Sequence, residues 1–238
     1  MGNKMEVRLQ NAEHLLKAKE IAGWMATAST AKDVNPLKVY DVCVKSGHWT
    51  PTRQMNFIFE ISGVSRVFSH QFVRHSEGVN IVQESQRYVE NTLADDAGAI
   101  IPPSISGCEV FIPELDCFLN PEELICITRT VYKGLIEEHG AKPEDARYVL
   151  MNAEPTKLRV ALSPEALIHY AHMRLCVRAQ SEIRECVQKM VALAVQVAPE
   201  LADKLVPKCE YTLCCEETNS CGKFPSREEA RRRVLEEN

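Results

Sequence analysis

The residues of this chain best suited to chemistry are gathered in one run. Gln71-Phe72-Val73-Arg74-His75-Ser76 continues to Gln83-Glu84-Ser85-Gln86-Arg87-Tyr88, and nearly every side chain in the second half can hydrogen-bond. Arg74 and Arg87 are fixed cations whose planar forks suit phosphate or carboxylate. Gln71, Gln83, Ser85 and Gln86 can each donate and accept, which suits the edge of a nucleobase. His75 can titrate or stack. Gly78-Val79-Asn80, inside the run, reads as a flexible or turning loop. The donor set fits a nucleotide-type site and equally a structural polar network. Further along stand Arg147, His169, Arg174 and Arg178. Arg174 and Arg178 fall one helical turn apart, which alone reads as surface charge on an amphipathic helix.

The elements that must position these residues follow from capping and periodicity. Asn11 is placed to cap a core-facing helix through Ala12, Leu15, Leu16, Ile21, Ala22 and Met25. A second helix is expected over 37–45, stopped by Ser46-Gly47. Residues 55–61 alternate, with Phe57, Phe59 and Ile61 on one face, so a strand ended by Gly63 is expected. Residues 64–73 read as a short helix with Val64, Val67, Phe68 and Phe72 inward, delivering Arg74 and His75 to the polar run. Residues 91–118 read as irregular surface chain with room for one short strand. Asn120-Pro121-Glu122-Glu123 is a cap, a proline and two acids, and starts a helix to about Glu138 that closes at Gly140. Lys142-Pro143-Glu144-Asp145 begins a short helix carrying Arg147, and residues 156–162 are strand-prone. Ser163-Pro164-Glu165 repeats the cap signature and opens one long helix to Val197, stopped by Pro199. The tail, 228–238, reads as a solvated helix or a frayed end.

Composition sets outer bounds. With 238 residues, 45% hydrophobic and 26% charged, the chain is an ordinary globular sequence. A net charge of -5 argues against a general nucleic-acid coat but not against a local basic pocket. No apolar run approaches the ~20 residues of a membrane span, and Met1-Gly2-Asn3-Lys4 opens no signal-peptide core, so a cytoplasmic protein without membrane or nucleic-acid partners is expected. Ten cysteines then imply reduced thiols. Cys209, Cys214, Cys215 and Cys221 form no common C-x-x-C pair, so free thiols are expected and a structural metal or redox pair is the alternative. Trp24 and Trp49 read as core or loop anchors.

Several blocks resemble the flavin-dependent thymidylate synthases. They are Gly63-Val64-Ser65-Arg66, His70-Gln71-Phe72-Val73-Arg74-His75, and Gln83-Glu84-Ser85-Gln86-Arg87-Tyr88-Val89. Upstream, Ser46-Gly47-His48-x-x-Pro51 resembles the family's turn. Ala146-Arg147-x-Val149-Leu150 and Arg174-Leu175-Cys176-x-Arg178-Ala179-Gln180 resemble its later blocks, in the family's order. The resemblance implies the fold of thymidylate synthase complementing proteins: α/β (α+β), a central antiparallel-type sheet flanked by helices. It would be a single domain over 1–238 with a cysteine-bearing extension from about 207, assembled as a homotetramer with active sites between subunits.

The reaction implied is reductive methylation of dUMP to dTMP, with methylenetetrahydrofolate as carbon donor, FAD as cofactor and NADPH as reductant. No cysteine nucleophile is implied. Arg87 and Arg147 would hold the nucleotide phosphate. Gln71, Arg74, Ser85 and Gln86 would position the nucleotide. Arg174 would stabilise charge on the uracil ring, and it and Ser85 are the implied catalytic residues. Arg74, His75 and His169, the last facing in from the long helix, would line the flavin.

The chain departs from the family at Ser76, where a second arginine is usual, and in a Ser76–Ser85 spacing that looks one residue longer. It also departs at Pro51-Thr52-Arg53-Gln54, which lacks a glutamate-histidine pair, and at Ser163 and Glu165 in place of asparagine and arginine. All fall where flavin or folate contacts are implied. The alternatives are a relative that binds a pyrimidine nucleotide without turnover, or one that methylates another nucleotide such as UMP.

Overall fold

The computed structural model describes residues 4–29, 34–87 and 98–236. Tyr88 and Val89, which close the polar run, lie outside the described residues. Six strands are found among those described: β1 (Glu6–Leu9), β2 (Phe57–Ser65), β3 (Val79–Gln83), β4 (Val110–Ile112), β5 (Cys117–Leu119) and β6 (Pro155–Leu162). Four form one sheet in the order β1-β2-β6-β3, while β4 and β5 make an antiparallel hairpin. The helices are α1 (Leu15–Thr27), α2 (Pro36–Lys45), α3 (Arg66–Phe72), α4 (Pro121–Glu137), α5 (Pro143–Ala146), α6 (Pro164–Arg174), α7 (Ser181–Val197), α8 (Lys208–Thr212) and α9 (Arg227–Glu236). This is the expected α/β class. The chain divides into two compact units.

The first unit comprises Met1–Glu6, Ile61–Arg74 and Val82–Arg159. Ile61, Val64, Phe68, Phe72, Ile125, Tyr132 and Leu158 are buried there, and the Phe68 and Phe72 rings lie 5.1 Å apart one turn along α3. Gly63 does not end β2, which runs on to Ser65. Its φ is +66°, and a Cβ would stand 2.7 Å from the Lys4 carbonyl oxygen, so glycine here allows close passage of a neighbouring backbone. Ser65 caps α3 by accepting from the Phe68 N–H at 3.0 Å. Two more N–H groups at this helix start are taken from outside it: Arg66 donates to the Glu154 carbonyl at 3.0 Å and Val67 to that of Asn152 at 3.1 Å. Val67, expected inward, is exposed.

Glu154 also anchors by its side chain. Its carboxylate is 0% exposed and receives Arg129 Nε at 2.9 Å and Nη2 at 2.8 Å. The capping box of Asn120 and Glu123 starts α4, which carries Arg129, as the sequence leads one to expect. Segment 98–119 holds two short strands where one was expected, because the turn between β4 and β5 places Asp116 at φ 49° and pairs Phe111 with Phe118.

The second unit comprises Val7–Glu60, His75–Ile81 and Val160–Asn238. Asn11 caps nothing with its side chain. Its amide instead donates to the Asn56 carbonyl at 2.7 Å and accepts from Ile58 N at 3.0 Å, bracing β2. Helix α1 buries Leu15, Ala22 and Ala26 but exposes Leu16, Ile21, Met25 and the supposed anchor Trp24. It packs on α2, where a Cβ on Gly23 would fall 1.8 Å from the Pro36 carbonyl oxygen. Val79-Asn80 belong to β3 rather than to a loop. Only Gly78 turns, at φ +68°, and its carbonyl accepts from Ser163 N at 3.0 Å.

The long helix expected from Ser163 to Val197 is two helices. Helix α6 starts at the expected Ser163 cap and ends at Arg174. Helix α7 starts at Ser181 because the Gln180 side chain accepts from the Ile183 N–H at 3.2 Å. Between them the Val177 carbonyl accepts Arg184 Nη1 at 2.8 Å. Side chains thus satisfy the backbone groups that the break releases. Arg174 and Arg178 therefore do not share a helix face: Arg178 is exposed and reaches the Ser220 carbonyl at 3.5 Å.

Removing one partner of the buried Arg129–Glu154 pair leaves a charge uncompensated in the interior. Glu154→Ala is expected to cost about 3–5 kcal/mol of stability, measured as a shift in chemical-denaturation midpoint. A loss under about 1 kcal/mol, the range of an exposed pair, would show that the pair is not the anchor described.

Candidate functional site

The first unit contains a cavity of about 440 Å³ with two guanidiniums and three amides on its wall: Arg66 and Arg147, with Gln83, Gln86 and Asn152. Arg66 comes from the first turn of α3. Gln83 ends β3, and Arg147 opens the 3-10 turn Arg147–Val149 directly after α5. Arg66 Nη2 donates to Gln86 Oε1 at 2.9 Å, and Gln83 Nε2 to Thr156 Oγ1 at 3.1 Å. Burial lowers the Arg66 guanidinium from its ordinary value, the Arg147 charge lowers it further, and Glu84 acts the other way. Two half-buried cations on one wall, with no carboxylate lining it, favour an anion. Amides beside them can read a base edge.

A larger cavity of the same unit, about 580 Å³, is chemically poorer although Arg129 and Lys133 line it. Arg129 is engaged by Glu154, and the Glu122 carboxylate accepts the Ser106 hydroxyl at 2.8 Å.

Of the residues singled out in sequence, the smaller cavity takes in Gln83, Gln86 and Arg147. Arg87 is directed to Glu144, with Nε at 3.0 Å and Nη2 at 2.7 Å from Oε2. Ser85 Oγ accepts from the Arg87 N–H at 3.2 Å and shapes its own turn. Gln71 is half-buried near the end of α3 and Arg74 is exposed just beyond it. Neither they nor Ser85 line the cavity. Arg66 was missed as a site residue. Its signal was present in the Gly63-Val64-Ser65-Arg66 block, but a lone arginine at a helix start reads as solvated.

The second unit holds a different constellation. His75 lies at the centre, its ring edge-on to His169 at 5.0 Å and to Tyr170 at 4.6 Å. Arg174 Nε donates to His75 Nε2 at 3.1 Å, and the Tyr170 hydroxyl donates to the His75 carbonyl at 3.4 Å. A guanidinium cannot accept, so His75 Nε2 carries no proton and the neutral ring holds it on Nδ1. Burial, then the Arg174 charge, then His169 lower the His75 pKa to about 4. His169 is exposed rather than inward-facing, because α6 turns Leu167, Ile168 and Tyr170 to the core instead. His75, His169 and Arg174 are thus gathered in one place.

Burial raises the Cys209 thiol, and Cys215, Cys176 and Cys221 add to that. Among the described residues no three His, Cys, Asp or Glu side chains are placed to hold a metal, and no helix is long and apolar enough to cross a membrane.

Comparison with known proteins puts names to these features. The family model "Thymidylate synthase complementing protein" matches residues 5–200. The flavin-dependent thymidylate synthase of Nitratidesulfovibrio vulgaris is 36% identical over 191 residues, covering 78% of this chain and 75% of that one. That of Geobacter sulfurreducens is 36% identical over 183 residues, covering 77% and 75%. That of Clostridium tetani is 34% identical over 205 residues, covering 81% of each. The crystal structure of thymidylate synthase X from Helicobacter pylori with FAD and dUMP shares the fold, with TM-score 0.56, 16% identity, and 85% of this chain and 99% of that one covered.

Two outcomes are expected. Arg66→Ala, which removes a cation not foreseen from sequence, weakens binding of a phosphate monoester roughly 10-fold or more, as losing a charge-assisted hydrogen bond would. Unchanged affinity by calorimetry would remove Arg66 from the site. The His75 imidazole is expected to titrate near pH 4 when followed by NMR, below the ordinary histidine value of about 6.5. The unfolded chain then binds this proton more tightly than the folded one. The stability linked to His75 is complete above about pH 6.5 and falls as pH drops toward 4. Titration near 6.5 would contradict the half-buried, Arg174-bonded ring.

Proposed function

The chain belongs to the flavin-dependent thymidylate synthase family, and on that premise we propose that it reductively methylates C5 of dUMP to give dTMP. Methylenetetrahydrofolate would be the carbon donor, FAD the cofactor and NADPH the reductant. The observation that carries the nucleotide part is the paired cations Arg66 and Arg147 on an amide-lined wall. They hold the phosphate, whose charge hardly changes during methylation, so they act about equally on ground and transition states. Gln83 and Gln86 offer amides to the nucleotide, and Gln71, Arg74 and Ser85 support its position.

The residues of the second unit fit a flavin. A neutral imidazole edge-on to two further rings, with a guanidinium beside it, offers aromatic surface and a cation. His75 and His169 would hold it. When bound, FAD supplies hydride-transfer chemistry, which the protein orients. Arg174 is held by its bond to His75 Nε2, and it stabilises the negative charge that develops on the pyrimidine ring as C5 becomes nucleophilic. Homotetramer assembly belongs to the same proposal, and the exposed Leu16 and Trp24 on α1 give it a candidate surface.

The test combines flavin binding with turnover. Saturable quenching of FAD fluorescence and dUMP-dependent oxidation of NADPH are expected. Nucleotide binding without flavin would identify the non-catalytic relative instead, and preference for UMP the variant substrate. Arg147→Ala is expected mainly to raise KM, whereas Arg174→Ala lowers kcat more than it raises KM, and Arg174→Lys rescues little. An effect of Arg174→Ala on KM alone would overturn its role.

A further inference from the structure

One carboxylate of the first unit has no place in that scheme. Glu144 lies on α5, three residues before Arg147. Its Oε2 accepts both Nε and Nη2 of Arg87, at 3.0 and 2.7 Å, and its backbone carbonyl accepts Arg147 Nε at 3.1 Å. The two arginines that the resemblance assigns to phosphate thus both end on Glu144. The Nε–Nη2 edge is one that makes a two-point contact with a carboxylate or phosphate. In Arg87 that edge is taken.

The pair is not a structural necessity. The side chains of Arg87 and Glu144 are 48% and 37% exposed, and an ion pair so exposed adds little to folding. Its location is informative, however. Arg147 and Gln86 line the 440 Å³ cavity. Gln86 adjoins Arg87 in sequence, and Arg147 is bonded to Glu144. The Arg87–Glu144 pair is therefore tethered from both sides to residues of the anion-favouring wall. The hydrogen bond from Arg87, then the Arg87 charge, with Lys142 and Arg147 adding a little, hold the Glu144 carboxyl below its ordinary value, so it stays an anion at neutral pH.

We propose that Glu144 is an internal stand-in for the substrate phosphate: its carboxylate occupies the fork of Arg87 until a phosphate arrives, and Arg87 then exchanges one anion for the other. The inference rests on the nucleotide reading above and assigns to the same site a residue that sets its selectivity. A neutral nucleoside offers Arg87 nothing in exchange. A phosphate dianion offers more charge than the carboxylate it displaces. Arg66 and Arg147 form the standing part of the site, and Arg87 the part recruited by the ligand.

The test measures equilibrium affinity for dUMP, deoxyuridine and inorganic phosphate on the full chain. The proteins are wild type, Glu144→Gln, Arg87→Ala and the double variant, each checked for folding by circular dichroism. Glu144→Gln keeps the size of the side chain and removes its charge. It is expected to tighten dUMP and inorganic phosphate by roughly 2- to 5-fold, the factor an exposed ion pair is worth, and to leave deoxyuridine unchanged. In the Arg87→Ala background the same change is expected to have no effect, since the competition is for Arg87. Weaker anion binding by Glu144→Gln would make Glu144 a buttress and overturn the exchange. Equal tightening with and without Arg87 would reduce it to bulk charge and overturn it as well. If inorganic phosphate behaves as expected but no protein binds dUMP, the exchange stands and the nucleotide reading fails. If dUMP binds but neither anion responds to Glu144→Gln, the exchange alone fails.

Discussion

The buried carboxylate of Glu154 is the constraint on which the first unit's site depends. An ionised carboxylate at 0% exposure is tolerated only with a fixed partner, and Arg129 on α4 supplies one through two nitrogens. The same residue's backbone carbonyl takes the N–H of Arg66, and the carbonyl two residues earlier takes that of Val67. One short segment therefore fixes α4 by a side chain and the start of α3 by its backbone. The position of the Arg66 guanidinium follows from that. It is set by where residues 152–154 are held, and these are held by a charge that cannot be left unpaired. Asn152 lines the cavity itself, so the anchor and the wall are one piece of chain.

This explains which parts of the site were legible in sequence. Helix starts were, because a cap, a proline and an acid act within four residues: Asn120, Ser163 and the Pro143 turn all stand where expected. The core face of β2 was, because alternation is local. Arg129 and Glu154 are 25 residues apart, and nothing in either neighbourhood announces the other, so the anchor that places Arg66 was invisible. The division of 163–197 into α6 and α7 was hidden for a different reason. No glycine or proline marks it, and Gln180, a residue ordinarily at home inside a helix, supplies the cap. His169, expected to face in because the resemblance implies a place for it at the flavin, lies instead on the exposed side of α6, which turns Leu167 and Tyr170 inward.

Two of the departures from the family pattern are partners of one another. Arg53, in the segment that lacks the usual glutamate-histidine pair, meets Glu165, which stands where arginine is frequent. Nε and Nη2 of Arg53 reach the two carboxylate oxygens at 2.7 and 3.2 Å. The side chains are 57% and 41% exposed, so the pair contributes at most about 1 kcal/mol. Its significance is geometric. It ties the 3-10 turn Pro51–Gln54 to the first turn of α6, where a negative side chain also suits the helix dipole. An arginine at position 165, the residue the resemblance implies as usual there, would repel Arg53. The two differences form one charge arrangement, and counting them as separate losses overstates how far the chain has diverged there.

The guanidiniums of the first unit and the His75 ring of the second hold their charge states across the neutral range, though for opposite reasons. In the first unit the cations are guanidiniums, which remain charged throughout the range in which proteins are folded. In the second, His75 is held neutral down to about pH 4 by burial and by Arg174. Its Nε2 therefore stays an acceptor, and the bond that orients Arg174 persists across the neutral range. Had His75 kept an ordinary histidine pKa, protonation below about pH 6.5 would turn that acceptor into a donor facing a guanidinium, and Arg174 would lose its orientation. Glu144, held below its ordinary value, does not titrate near neutrality either. The ligand's own phosphate does change charge between pH 5 and 8, its second ionisation falling near pH 6. The guanidiniums and the Arg174–His75 bond are a fixed part of the electrostatic frame, and the charge state of the incoming phosphate determines how strongly that part is used.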